Sequence, residues 1–134
     1  MTLYVDASAF VKLYVSERQS AQCVDLMRAD PTWVAGRHTF VEVRRTLDRV
    51  LDGRTFEDAK GHFAADWGRT SVVELDTVTV EMAAEIAEVT KVRTLDALHL
   101  AAARRTGEPG LPFLTYDLRL AQAARSLGFH VLGA

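Results

Sequence analysis

Hydrophobic positions change period repeatedly along this chain. Leu3, Tyr4 and Val5 form an apolar run of strand length that ends at Asp6, and Ala9, Phe10, Leu13 and Tyr14 follow at helical spacing. SAQCVDLMRAD keeps the helical period, with Val24 and Met27 on the buried side, until the Asp30-Pro31 pair stops it. WVAG predicts a second short strand. From His38 to Leu51, Phe40, Val43, Leu47 and Val50 recur at three- and four-residue steps, an amphipathic helix expected to stop near Gly53. FEDAKGHFAADWGR predicts a further helix, SVVEL a strand rich in β-branched residues, and TVEMAAEIAEV a helix by its spacing and alanines. TLDALHLAAARR predicts another helix, broken by GEPGLP. The chain ends as it began, with strand PFLTY, Asp117, helix LRLAQAARSL, Gly128 as the expected C-cap, and a last strand FHVLG.

Short strands alternating with helices of this length need crossover connections, and so pair in parallel. The expected fold class is α/β, with helices layered on a central parallel sheet. A chain of 134 residues, 49% hydrophobic and 25% charged with three prolines, suits one compact domain over residues 1–134 and excludes disordered and fibrous classes. Cys23 is the only cysteine, which rules out an intramolecular disulfide and a cysteine-based zinc cluster; its helical neighbours make it a buried small hydrophobe. No apolar run approaches the roughly 18 residues of a membrane span, and TLYVD opens the chain without a charged region or cleavage site. No membrane partner and a cytoplasmic setting are expected.

Ligands of open parallel α/β sheets bind beyond the carboxyl ends of the strands. Asp6 directly follows LYV and Asp117 directly follows FLTY, so both stand at strand-to-helix junctions on that edge. Asp96 falls in the first turn of TLDALHL, with Thr94 as its expected N-cap, and this helix start opens onto the same edge if its connection is right-handed. Taken singly, each acid reads as a helix cap. Taken together they repel one another, a cost that caps made of Ser or Thr avoid and that a hard dication removes. Oxygen-only ligands suit Mg²⁺ or Mn²⁺ rather than Zn²⁺. Glu42 is a glutamate among apolar residues near the inner face of its helix. Arg45 and Arg49 lie three and seven residues on, placed to pair with it, to face solvent, or to offer cations to a phosphate backbone.

VDASAFVKLY, then FVEVRR, then RTLDALHLAAA, then LTYDLRLAQAARSLG, in this order and spacing, closely resembles the VapC toxins of the PIN-domain superfamily from end to end. The resemblance implies a PIN-like three-layer α/β/α fold with four or five short parallel strands. It also implies a Mg²⁺- or Mn²⁺-dependent endoribonuclease, often a homodimer, inhibited by a small co-expressed antitoxin of the VapB type. Asp6, Glu42, Asp96 and Asp117 match the family's acidic quartet. Ser8 is expected to orient Asp6 or a metal-bound water, and Thr115 to do the same for Asp117, unless both serve only helix-start and strand-end hydrogen bonding. Lys12 lies in the matching SAFVKLY segment, as a phosphate contact or a solvent-facing lysine. His99, three residues after Asp96, looks like a packing residue within DALHLA and is not expected to be a ligand.

The net charge of −2 looks wrong for a nucleic-acid partner, but setting the quartet aside leaves 14 acidic residues against 16 basic. A haloacid-dehalogenase-like phosphoryl transferase needs a second acid two residues after the first, where this chain has Ser8. A non-catalytic module of the same fold and a nuclease of ordinary RNA maturation remain as rivals to a toxin. His38, His62, His99 and His130 fall on separate elements and form no evident acid–base pair, so water is the expected nucleophile and the RNA target stays unnamed.

Overall fold

The computed structural model describes residues 2–134. Among these, strand β1 (Thr2–Val5) leads into helices α1 (Ala7–Tyr14) and α2 (Ser20–Ala29), then β2 (Thr32–Gly36), α3 (Thr39–Val50) and α4 (Gly53–Gly68). β3 (Ser71–Val73), α5 (Thr77–Thr90) and α6 (Thr94–Arg104) follow, and β4 (Pro112–Thr115), α7 (Leu118–Ser126) and β5 (His130–Gly133) complete the chain. No helix among the described residues is long and apolar enough to cross a membrane.

All five strands pair in parallel in the order β3-β2-β1-β4-β5. Alternation along each strand explains the layering. Leu3 and Val5 of β1 and Ala35 of β2 pack with Phe10, Met27, Leu47 and Phe63 of α1 to α4. Tyr4, Val34 and Phe113 face the opposite way and pack with Ile86, Leu100 and Leu120 of α5 to α7. The sheet is therefore buried on both faces, as a fully parallel sheet must be, and the architecture is the PIN-like α/β/α sandwich.

Strand order fixes where a site can form. The chain builds outward from β1 to β2 and β3, then returns to lay β4 on the other side of β1, where Val5 registers with Leu114. The two connections diverge at this reversal and leave a crevice beyond the carboxyl ends of β1 and β4. Asp6 lies there, its backbone N–H extending the ladder to Leu114 O at 3.2 Å.

Several boundaries differ from those the pattern predicts. Gly53 does not close α3, which ends when the Leu51 N–H returns to Leu47 O; at φ +55° it opens α4 instead. β3 stops at Val73, opposite the last residue of β2, and Glu74 is drawn to Arg37. α5 starts at Thr77 because the Asp76 carboxylate caps it, accepting from both the N–H and the hydroxyl of Thr79. Thr94 is the first helical residue of α6 rather than its cap; extended Arg93 holds the cap position without a side-chain bond to the free amides of the first turn. Gly128 does follow α7 with φ +90°, the left-handed geometry a glycine supplies without strain. Cys23 is buried, and burial pushes its thiol up to about 11, so it stays a neutral apolar residue at ordinary pH.

Candidate metal centre

Asp6 ends β1 and caps α1, and its two oxygens have different partners. Oδ1 accepts from Ala9 N–H at 3.0 Å and from the Ser8 hydroxyl at 2.7 Å, while Oδ2 accepts from the Thr115 hydroxyl at 2.6 Å. Ser8 Oγ in turn accepts from Tyr116 N–H at 3.0 Å, and Thr115 Oγ1 from Asp117 N–H at 3.1 Å. Two hydroxyls thus tie the β1–α1 junction to the β4–α7 junction. Ser8 donates to Asp6, a contact that suits both an orienting role and helix-start hydrogen bonding. Thr115 directs its proton to Asp6, and Asp117 receives nothing from it but an acceptor for its backbone N–H. Burial pushes the Asp6 carboxyl above its ordinary value, even against the opposing pull of His99 and these donors.

Asp117 caps α7, with Oδ1 accepting from Arg119 N–H at 2.9 Å and Leu120 N–H at 3.1 Å. Its Oδ2 stays free of the helix and lies 3.3 Å from Arg93. Arg93 also reaches Asp96 Oδ2, at 3.4 Å through Nε. Asp96 is buried in the first turn of α6, where burial and the Asp117 charge raise its carboxyl and Arg93 opposes them. The expected reading of these acids as helix caps holds for Asp6 and Asp117, each of which keeps one oxygen clear of its own helix. Asp96 caps nothing.

Glu42, in the first turn of α3, faces the opposite wall. His99 Nε2 stands 2.7 Å from its Oε1, and His99 Nδ1 stands 2.8 Å from the buried Tyr4 hydroxyl. Burial pulls the His99 imidazole down, but Glu42 against it, with Asp6 and Asp96 beyond, together carry it above its ordinary value. His38 packs its ring on His99 with centroids 4.2 Å apart; burial and that neighbour hold it down at about 4.

Asp6, Glu42, Asp96 and Asp117 all line one open cavity of about 630 Å³, together with Ser8, Arg49, Arg93 and His99. Their donor set fits a hard dication: two buried carboxyls are raised in its absence, and Asp96 and Asp117 lean on one guanidinium for countercharge. Thr115 lies fully buried behind Asp6, and neither Lys12 nor Arg45 lines the cavity. Lys12 donates to Arg18 O at 2.7 Å, pairs with Glu17 and lies over the Tyr116 ring, while Arg45 pairs with Asp48 on the exposed side of α3. Of the three cations expected at phosphates, only Arg49 stands at the site. Arg93 and His99 line the cavity, and His38 packs behind His99 outside the lining; none of the three is expected at the site from the sequence. Their signals were spacing alone: Arg93 and His99 flank Asp96 at three residues, and His38 precedes Glu42 by four.

Thr115→Val keeps the shape of the residue but leaves Asp6 Oδ2 and Asp117 N–H without their shared partner. A loss of about 1–3 kcal/mol in unfolding free energy is expected, measured by urea titration of the metal-free protein.

Comparison with known proteins agrees with this fold. The sequence matches the family described as PIN domain over residues 3–126. Ribonuclease VapC45 of Mycobacterium tuberculosis is 33% identical, covering 98% of this chain and 95% of its own length. Ribonuclease VapC46 of the same species is 35% identical, covering 97% and 95%. Among solved structures, the sarcin-ricin loop cleaving toxin VapC20 of M. tuberculosis superposes with a TM-score of 0.76 at 18% identity, covering 98% of both chains. A toxin–antitoxin complex from Klebsiella pneumoniae gives 0.67 at 15% identity, covering 86% of both. The chain belongs to the PIN-domain family. Within that family, the relatives it matches over nearly their whole length carry the name VapC.

Proposed function

We propose that this chain is a Mg²⁺- or Mn²⁺-dependent endoribonuclease, and the toxin of a pair whose other member is a small VapB-type antitoxin. One observation carries the reading: four acids from four separate elements line a single cavity at the β1/β4 reversal. The ribonucleases it resembles support the reaction, and the toxin–antitoxin complex of the same fold supports the partner. The cytoplasm is the setting that suits both partners. A homodimer rests on the family resemblance and is checked by light scattering.

When bound, a dication lowers the pKa of a water it holds and offsets charge developing on the phosphate oxygens. The chain's own residues do the rest. Asp6, fixed by Ser8, Thr115 and Ala9 N–H, presents an oriented carboxylate. Asp96 and Asp117 present the oxygens that Arg93 now balances, and Glu42 closes the far wall. Arg93 is exposed enough to turn from the acids to an RNA phosphate, and Arg49 offers a second cation on the cavity wall. In this reading an antitoxin closes the cavity by laying an arginine of its own across the two acids that Arg93 contacts.

Induced expression of the chain alone should arrest growth, and co-expression of the antitoxin should restore it. Folded protein that cleaves RNA in vitro without harming cells points to RNA maturation instead, and folded protein that cleaves nothing points to a binding module.

A further inference from the structure

We propose that His38, Glu42 and His99 form a binding site for a borderline transition-metal dication of the Zn²⁺ class, distinct in ligand chemistry from the oxygen-only set. Nε2 of His99 is 2.7 Å and Nε2 of His38 is 3.7 Å from the same oxygen, Glu42 Oε1. One ligand atom from each residue falls within 4.8 Å of the other two. Atoms sharing a tetrahedral Zn²⁺ at about 2.0–2.1 Å stand roughly 3.4 Å apart. The first separation opens by about 0.7 Å and the second closes by about 0.3 Å, while the two histidine nitrogens, within 4.8 Å of each other, close by at most about 1.4 Å through rotation of their side chains. Two imidazoles and one carboxylate suit Zn²⁺, Co²⁺ or Ni²⁺, whereas Mg²⁺ prefers oxygen alone.

A second observation points to a ligand independently. His38 is only 8% exposed, yet neither of its ring nitrogens has a hydrogen bond of good geometry, the Leu95 carbonyl offering only a weak approach. Buried polar atoms are rarely left so. The ring is nevertheless closely seated: a Cβ built on Gly36 would stand 2.6 Å from His38 Cε1 and 2.8 Å from Nδ1. Gly36 has no positive φ to require glycine, so its missing side chain is what makes room for this imidazole. His99 is braced as a ligand histidine usually is, through its other nitrogen. Its Nδ1 meets the Tyr4 hydroxyl, which also accepts from Gly36 N–H. In the metal-binding tautomer Nδ1–H donates to Tyr4, whose proton then turns to Thr39 Oγ1, a buried hydroxyl that otherwise has no partner. Because Glu42 also lines the acidic cavity, occupancy here withdraws it from the oxygen-only set.

The test needs no RNA, so its outcome is separate from that of the cleavage reading. Metal-free protein in excess Mg²⁺ is titrated with Co²⁺ and followed by visible absorption. One equivalent per chain with tetrahedral intensity is expected, displaced by Zn²⁺. His38→Gln should weaken binding by at least about tenfold, while Asp117→Asn leaves it within about twofold. On the wild type, Zn²⁺ should shift the ring resonances of His38 and His99 and leave those of His62 and His130, a readout independent of whether a variant folds. No Co²⁺ binding at 0.1 mM (roughly the weak limit for such a site), a smaller effect of His38→Gln, a larger effect of Asp117→Asn, or unshifted His38 and His99 resonances overturns the proposal.

Discussion

Replacing Asp6 or Asp96 by Asn should abolish RNA cleavage while leaving the metal-free protein as stable as the wild type or more so. Asn still accepts the Ala9 N–H and Ser8 hydroxyl bonds that Asp6 accepts, and its amide N–H donates to Thr115 Oγ1 in place of the bond that Oδ2 accepted, so the start of α1 keeps its cap and its tie to β4. What Asn lacks is the charge, and with it the affinity for a hard cation. Residues that only brace a ligand cost 10- to 100-fold when lost, so a direct ligand should cost about 100-fold or more in kcat/KM. The stability half follows from the carboxyls. Burial raises both, and Asp117 adds to the rise at Asp96, so in the metal-free fold each holds its proton to higher pH than in the unfolded chain. In that window the folded state binds more protons, and stability falls as pH rises from the unfolded value through the folded one. Asn removes this loss. Thermal melts of wild type and Asp6→Asn in EDTA should therefore draw apart in favour of Asn as pH rises from about 4. Variants that melt much earlier and still cleave would make these two acids structural.

Removing the metal should have the other large effect. Cleavage should stop in excess EDTA and return with Mg²⁺ or Mn²⁺, not with Ca²⁺, whose larger and looser shell is a poor match for in-line attack. The same ion should stabilise the fold, since it binds only where the acids are assembled. At 100 times its Kd the gain is about 2.7 kcal/mol, or about 10 °C in Tm for a chain of this length. Asp96→Asn should lose most of that shift. Full activity in EDTA, or an equal shift in the variant, would contradict the site.

The contrast between what the chain pattern predicts and what the fold adds has a physical basis. Asp6 and Asp117 are legible because an acid directly after a short apolar run and directly before a helix has one place to go, the carboxyl edge of a parallel strand. Asp96 is legible as a first-turn residue, although its neighbour Thr94 is misread as a cap: Asp96 is held by Arg93 across the acids and not by its own helix. Thr115 is expected at Asp117, and only the pairing of β1 beside β4 shows that its hydroxyl reaches Asp6 instead. Lys12 looks like a phosphate contact from its place in the matching SAFVKLY segment and Arg45 from its helix spacing, yet each finds a carboxylate partner nearby, Glu17 and Asp48. The histidines are the clearest omission. His38 follows β2 and His99 lies on α6, far apart in the chain, and the packing of α6 on β2 makes them neighbours.

That neighbourhood bears on the reaction itself, because two adjacent histidines are what a ribonuclease using the ribose 2′-hydroxyl as nucleophile employs as base and acid. Here both are buried, His38 is held down at about 4, and both nitrogens of His99 are already engaged by Tyr4 and Glu42. His99 lines the cavity but has no free nitrogen to exchange a proton with bound RNA, and His38 lies outside the lining, which supports the proposal that water held at the acids is the nucleophile. The decisive measurement is single-turnover cleavage with Mn²⁺ of an RNA carrying one deoxyribose at the mapped cleavage site, with the ends of the all-RNA products identified. Attack by water predicts modest slowing and products with 5′-phosphate and 3′-hydroxyl ends. Complete protection by the single deoxyribose, with 2′,3′-cyclic phosphate on the all-RNA products, would contradict it.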